Sequence, residues 1–339
     1  MWYEDALFQP QAADRPDPDA VSSFASPAFR LAILSSVHTG HPFKHVDAYS
    51  KLFDVFKPIL QRDAERLLMI ETAGGNPRRR KSIKAEDWKP FEHLAAKVPA
   101  DDGFFIGFHY QSGTVDLKLQ HIDIDNVFDK GPTSFLFSVT GCVQLDATVP
   151  VAEWQSGALD IDKLQAALKD LPITTGIAGF GLSLSEEDGT NSEALRNLLP
   201  IAEKFPALDI SRNRYREWEG YDEKKPGLYW LAGINWLTFV GEPLLTVLGG
   251  ADAVSQGLPD AIKVTKTPNW VMFQLGDRPI TGEAGVDDDL LPLYHALGAK
   301  LQPVHGSPER RRASVFGRTN TDKSIEWQRR FYDGKWFGK

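Results

Sequence analysis

One cysteine, Cys142, serves the whole 339-residue chain. An internal disulfide is therefore excluded, and the thiol content fits a reducing cytoplasm. Cys142 itself reads as a small buried hydrophobe rather than a nucleophile. Also missing is any run near the roughly 18 uninterrupted apolar residues that a membrane helix needs. The opening residues, MWYEDALFQPQAADRPDPDA, are acidic and proline-rich where an export signal is basic and then apolar. The expected location is the cytoplasm, without membrane contact. Catalytic signatures are lacking as well: no G-x-S-x-G elbow, no P-loop, and no G-x-G-x-x-G between a strand and a helix. Ser, His and Asp occur throughout, yet no spacing assembles a triad. These absences count against an enzyme and against a bound cofactor.

What is present is apolar bulk. The stretch 227–250, GLYWLAGINWLTFVGEPLLTVLGG, sets two Trp, a Tyr and a Phe among branched apolar residues and carries one ionisable side chain, Glu242. A segment with so much volume and so little chemistry is built for burial. Hydrophobic content of 42% against 25% charged residues is that of a soluble globular protein, and the length allows two lobes of ordinary size.

Charge is unevenly spread. The net charge is −8, but residues 101–200 hold 15 Asp and Glu against 5 Lys and Arg, a balance of −10. Residues 51–100 and 301–339 run the other way, at +4 and +5. An acidic middle segment can steer a basic partner through its long-range field, or can serve solubility alone.

Periodicity predicts a strand over 29–37 and an amphipathic helix over 45–63 with Tyr49, Leu52, Phe53, Phe56, Ile59 and Leu60 on one face. A short strand at 67–71, a loop over 74–84 and a helix over 85–97 presenting Trp88, Phe91 and Leu94 inward follow. The turn Gln111-Ser112-Gly113 predicts a hairpin of 103–110 with 114–123. Further on come a strand at 135–145, a helix at 161–171, a strand at 176–184, a helix at 192–204 capped by Asn191 or Ser192, and a short strand at 207–211. Beyond the Trp-rich stretch lie a short helix at 243–248, paired strands at 261–266 and 270–275, and a helix at 287–297. The expected class is α+β, with mixed sheets, hairpins and packed helices in two similar-sized lobes. The order of elements restarts near residue 173, which raises an internal repeat. The expected organisation is an extended arm (1–27), an N-terminal α+β lobe (28–172), a C-terminal α+β lobe (173–305) and a basic tail (306–339).

Four groups of residues invite a chemical reading. His38, His41 and His45, with Asp47 beyond, have enough ligands for zinc, but Gly40 and Pro42 break any helix that would align them, and a polar loop explains them equally. His121, Asp123 and Asp125 alternate along QHIDIDNVFD, so a strand would point all three to one face. They form either an oxygen-rich site for a divalent ion or an acidic contact surface. Arg78, Arg79, Arg80, Lys81 and Lys84, and separately Arg310–Arg312, read as solvated basic runs. No interleaved aromatics accompany them, and the chain as a whole is acidic, so nucleic-acid binding is not expected. Asp287, Asp288 and Asp289 precede an apolar run and read as caps on a helix N-terminus that also make an exposed anionic knob.

The core of the Trp-rich stretch, GINWLTFVG at 233–241 followed by a Leu-Leu helix and Leu248-Gly249-Gly250, resembles a family of bacterial type VI secretion immunity proteins. The resemblance extends over roughly residues 28–300. It implies a cytoplasmic antidote that binds a cognate effector toxin, a nuclease of the VRR type, and blocks its active site without chemistry, cofactor or metal. Trp236, Leu237, Thr238, Phe239 and Gly241 carry the resemblance and are expected as core supports. The candidate contact residues are the acidic Asp123, Asp125, Asp287, Asp288 and Asp289, together with Trp218, Glu219, Tyr221 and Asp222 from the polar stretch REWEGYDEKKPG. The alternatives are a metal-dependent hydrolase or nucleic-acid enzyme using His121, Asp123 and Asp125, and a scaffold with an exposed apolar patch.

Overall fold

The computed structural model describes residues 25–36, 42–70, 78–80, 83–95, 106–112, 133–139, 142–184, 198–210, 231, 233–305, 315–316 and 320–332. Two compact units emerge: Leu31–Ile173, and Thr174–Lys339 together with the residues up to Arg30. The class is α+β, and each unit sets helices against an antiparallel sheet.

In the first unit the principal helix is α1 (Val46–Asp63), entered through a 3-10 turn at Pro42–His45. Its apolar residues recur at helical spacing, and Tyr49, Leu52, Phe53, Phe56, Ile59 and Leu60 are buried with Ala48. Pro58 lies inside the helix, which gives up one backbone hydrogen bond there. The strands are the part of β1 (Ala25–Ser36) from Leu31 onward, β2 (Arg66–Ile70), β3 (Arg78–Arg80), β4 (Ile106–Gln111), β5 (Ser134–Val139) and β6 (Cys142–Pro150). They are ordered β3-β2-β4-β5-β6-β1. The two-residue period of β5 turns Phe135 and Phe137 to one face, where the register sets them opposite Tyr110 and Phe108 of β4.

That aromatic face meets α1 and the short helix α2 (Pro90–Ala95). The Phe53 ring lies 5.1 Å from Phe135, 5.3 Å from Tyr110 and 6.0 Å from Phe108, and Phe91 of α2 lies 4.8 Å from Phe137. Most of these contacts are edge-to-face, the arrangement that the ring quadrupoles favour. The polar ends of the buried tyrosines are satisfied. The Tyr49 hydroxyl donates to Ser35 Oγ at 3.1 Å, and the Tyr110 hydroxyl donates to the Asp87 backbone carbonyl. The helix α4 (Ile161–Leu168) packs against α1 after α3 (Val151–Gln155), and Asp160 caps it by accepting the Lys163 N–H at 3.0 Å.

In the second unit the strands β7 (Thr175–Leu184), β8 (Leu237–Gly241), β9 (Ile262–Lys266) and β10 (Trp270–Leu275) take the order β7-β8-β10-β9. The helices are α5 (Leu198–Lys204), α6 (Leu244–Val247), α7 (Ala251–Ser255), α8 (Leu291–Leu301) and α9 (Thr321–Gln328). Val240, Val271 and Phe273 join Leu293, Leu297 and Leu301 of α8 in one core, which also holds Phe331 and Tyr332 from beyond α9. Gly298 permits this last contact: a Cβ there would lie 2.0 Å from the Phe331 carbonyl oxygen. Arg330 follows the same path, its guanidinium 3.8 Å above the Trp327 ring while it donates to the Pro206 carbonyl.

Several expectations are corrected. Of the predicted hairpin of 103–110 with 114–123, the second strand lies outside the described residues; β4 is paired with β2 over 107–111 and with β5 over 106–111. The single strand expected at 135–145 is two strands, β5 and β6, paired with each other. The loop expected at 74–84 contains β3, which pairs with β2. Of the helix expected at 85–97, residues 85–95 form a 3-10 turn at Ala85–Trp88 followed by α2, with Trp88 stacked on Tyr110 at 5.0 Å, and 96–97 lie outside the described residues. The strand expected at 207–211 is reduced to one bridge, Asp209 to Gly181. The helix expected at 287–297 begins at Leu291 and runs to Leu301. The strand orders of the two units differ and lend the internal repeat no support.

Two measurements follow. Phe53→Ala empties the centre of the aromatic face and is expected to cost about 3–5 kcal/mol of stability in denaturant titration. His295, half-buried on α8, has its pKa lowered from the ordinary 6.5, first by burial and then by the charge of Arg330. The neutral ring is therefore favoured in the folded state. Its contribution to stability is complete above about pH 6.5 and is lost as the pH falls through the lowered folded value. His295→Gln is expected to flatten that part of the stability–pH curve.

Candidate partner-binding surface

The Trp-rich signature is interior. Trp236, Leu237, Thr238, Phe239 and Gly241 are all buried, and β8 lies between β7 and β10, paired to both. Trp236 stands edge-on to Phe29 at 6.3 Å, and Phe239 to Trp270 at 5.4 Å. The entry to β8 is fixed by Asn235. Its Nδ2 donates to the Phe180 carbonyl at 3.0 Å, and its Oδ1 accepts the Trp236 N–H at 2.7 Å. Gly179 leaves the room that this side chain occupies, since a Cβ there would come within 2.1 Å of Asn235 Oδ1. These residues support a surface rather than form one.

The acidic triplet divides. Asp287 is fully buried and does not face a partner, which corrects its expected place on an exposed knob. It does not cap α8 either: the residue at the cap position is Leu290, with no side-chain hydrogen bond. Its carboxylate instead organises the preceding loop. Oδ2 accepts from Thr281 N at 3.0 Å, Thr281 Oγ1 at 3.1 Å and Gly282 N at 2.9 Å, while Oδ1 accepts from Arg278 Nη1 at 2.8 Å. Asp288 and Asp289 remain exposed on the loop so built, and Asp288 Oδ1 accepts the Gly285 N–H at 2.9 Å.

His121, Asp123, Asp125, Trp218, Glu219, Tyr221 and Asp222 lie outside the described residues, as do His38 and His41. So do most of the acids of the 101–200 segment. Among the described residues no group of three His, Cys, Asp or Glu is arranged to hold a metal ion, and no helix is long and apolar enough to cross a membrane. Several described acids of the first unit are engaged locally. Arg62 joins Asp63 at 2.6 Å to Glu153 at 2.7 Å, and both carboxylates raise its pKa.

Sequence reasoning missed three features. The Arg30–Asp209 ion pair is buried on both sides at 3.2 Å, with partners 179 residues apart that no local pattern links. Arg278, the partner of Asp287, was hidden in a turn. Val247 and Val286, at 52% and 37% exposure, are the large apolar side chains left open to water among the described residues.

A family model described as type VI immunity for VRR-NUC, TsiV, matches residues 77–331 of the chain. Among solved structures, a T6SS protein of Pseudomonas aeruginosa is similar at a TM-score of 0.68 with 21% identity, over 92% of this chain and 86% of that one. At that identity the likeness speaks for the fold. No curated protein matches the chain.

Asp287→Ala leaves four donors without their acceptor. It is expected to lower stability by about 3 kcal/mol and to speed amide exchange across residues 278–290. Asp288→Ala, at an exposed position, is expected to change stability by under about 0.5 kcal/mol.

Proposed function

The chain belongs to the TsiV family, type VI immunity for VRR-NUC, and on that premise we propose that it neutralises a nuclease effector by binding it and covering the surface that engages DNA. The observation that carries this reading is the family match over three quarters of the sequence. Charge supports it. A nuclease must offer cationic side chains to phosphates, and a partner of net charge −8 is attracted to the same groups. Occlusion then needs no catalysis by the immunity protein, only that its complex outlasts the encounter between effector and DNA. In this reading the chain acts in the cytoplasm, where the DNA to be protected lies.

Long-range attraction sets how often the two proteins meet, and a few desolvated anchors set how long they stay together. Asp123, Asp125, Trp218, Glu219, Tyr221, Asp222, Asp288 and Asp289 are the proposed contacts. Asp287 is excluded from that set by its burial.

Purified chain titrated into its cognate effector is expected to abolish DNA cleavage at one equivalent. Association is expected to slow as ionic strength rises, with dissociation changing little. Undiminished cleavage, with no complex on size-exclusion chromatography, would refute the proposal.

A further inference from the structure

Val247 is the more exposed of the two open valines, and its position is fixed rather than loose. It ends α6, whose Leu244 and Leu245 are buried in the core of the second unit. The Glu242 carboxylate accepts from Thr246 N at 3.2 Å and Thr246 Oγ1 at 2.7 Å, tying the first turn of this short helix. After Val247 the chain reverses. Gly249 N–H donates to the Thr246 carbonyl at 3.2 Å, and Gly250 N–H to the Leu245 carbonyl at 2.8 Å. Gly249 and Gly250 take φ values of 82° and 95°, in the left-handed region open to glycine, and α7 follows at once. Val247 therefore projects from a knuckle whose backbone is bonded on both sides.

Carboxylates accompany the knuckle in sequence. Between Glu242 and Asp260 the sequence holds three carboxylates, Glu242, Asp252 and Asp260, all exposed, and no lysine or arginine. Lys266 reaches in from β9 to Asp252 at 2.6 Å, while the Glu242 carboxylate sits beside the tip on Thr246. An apolar tip, held rigid next to a carboxylate, joins a short-range anchor to a charge that a cationic partner would meet.

We infer that the α6–α7 knuckle, residues 242–252 with Val247 at its tip, docks onto the cationic face of the nuclease effector. The inference rests on the reading that the chain binds such a nuclease, and it names where. Glu242 meets basic side chains that would otherwise hold phosphates, while Val247 enters an apolar recess beside them. Because the knuckle is already ordered, docking immobilises few additional groups.

The test uses the full chain and its purified cognate nuclease in calorimetric titration. Val247→Asp is expected to weaken binding by about tenfold or more while melting with the wild type. Val247→Ile, which keeps the apolar tip, is expected to bind as the wild type does. Hydrogen exchange on the wild-type complex is expected to slow at the amides of 244–250, and this measurement decides the matter should Val247→Asp fail to fold. If the wild-type chain does not bind the nuclease, the proposed function itself fails. If it binds, Val247→Asp binds equally well and 244–250 show no protection, the docking surface alone is wrong.

Discussion

β8 is withdrawn from water at every residue, and that withdrawal constrains the second unit more than any other single feature. A strand so placed has no solvent to complete its hydrogen bonds, so both neighbours must supply them, and β7 and β10 do. Its two faces must then be covered. Val240 turns to the core that α8 closes, and Phe239 turns to Trp270. The polar atoms that remain are consumed within the same turn: Asn235 and Thr238 bond to one another, and Asn235 also reaches Phe180. Chemistry is absent from this strand because each polar group there is already committed to holding it in place.

The first unit meets the same demand with a different material. Its sheet is stabilised by phenylalanine and tyrosine rings meeting largely edge to face beneath α1, so shape rather than hydrogen bonding fixes the register of helix on strands. Both units thus place rigidity inside, as a protein that acts by fitting against another would need.

How much of this was legible in the sequence follows from the range of the interaction concerned. The helix α1 could be read because its stripe of Tyr49, Leu52, Phe53, Phe56, Ile59 and Leu60 is a local signal, and β7 and β10 because short apolar runs are too. The burial of Trp236 to Gly241 was readable from apolar density. β3 was not, since Arg78-Arg79-Arg80 carries no strand signature and pairs only because β2 offers it an edge. β5 and β6 merged into one because their apolar runs are nearly continuous across Val139 and Cys142. Three consecutive aspartates look like a helix cap, and Asp287 escaped that reading because its donors, Arg278 and Thr281, come from the loop before it. Of the candidate surface, the exposed Asp288 and Asp289 were legible. Val247 was not, because exposure of one valine among leucines depends on how the turn around it folds.

β4 and β5 are locked to one another at their common end. Ser112 N–H donates to the Thr133 carbonyl at 2.9 Å, and Thr133 N–H returns to Ser112 Oγ at 3.0 Å, so the two strands are clasped before the intervening residues begin. Two strands tied in this way keep their register at that end through bonds of their own, and closure entropy adds little to the account: doubling the length of a connection costs only about 0.6 kcal/mol.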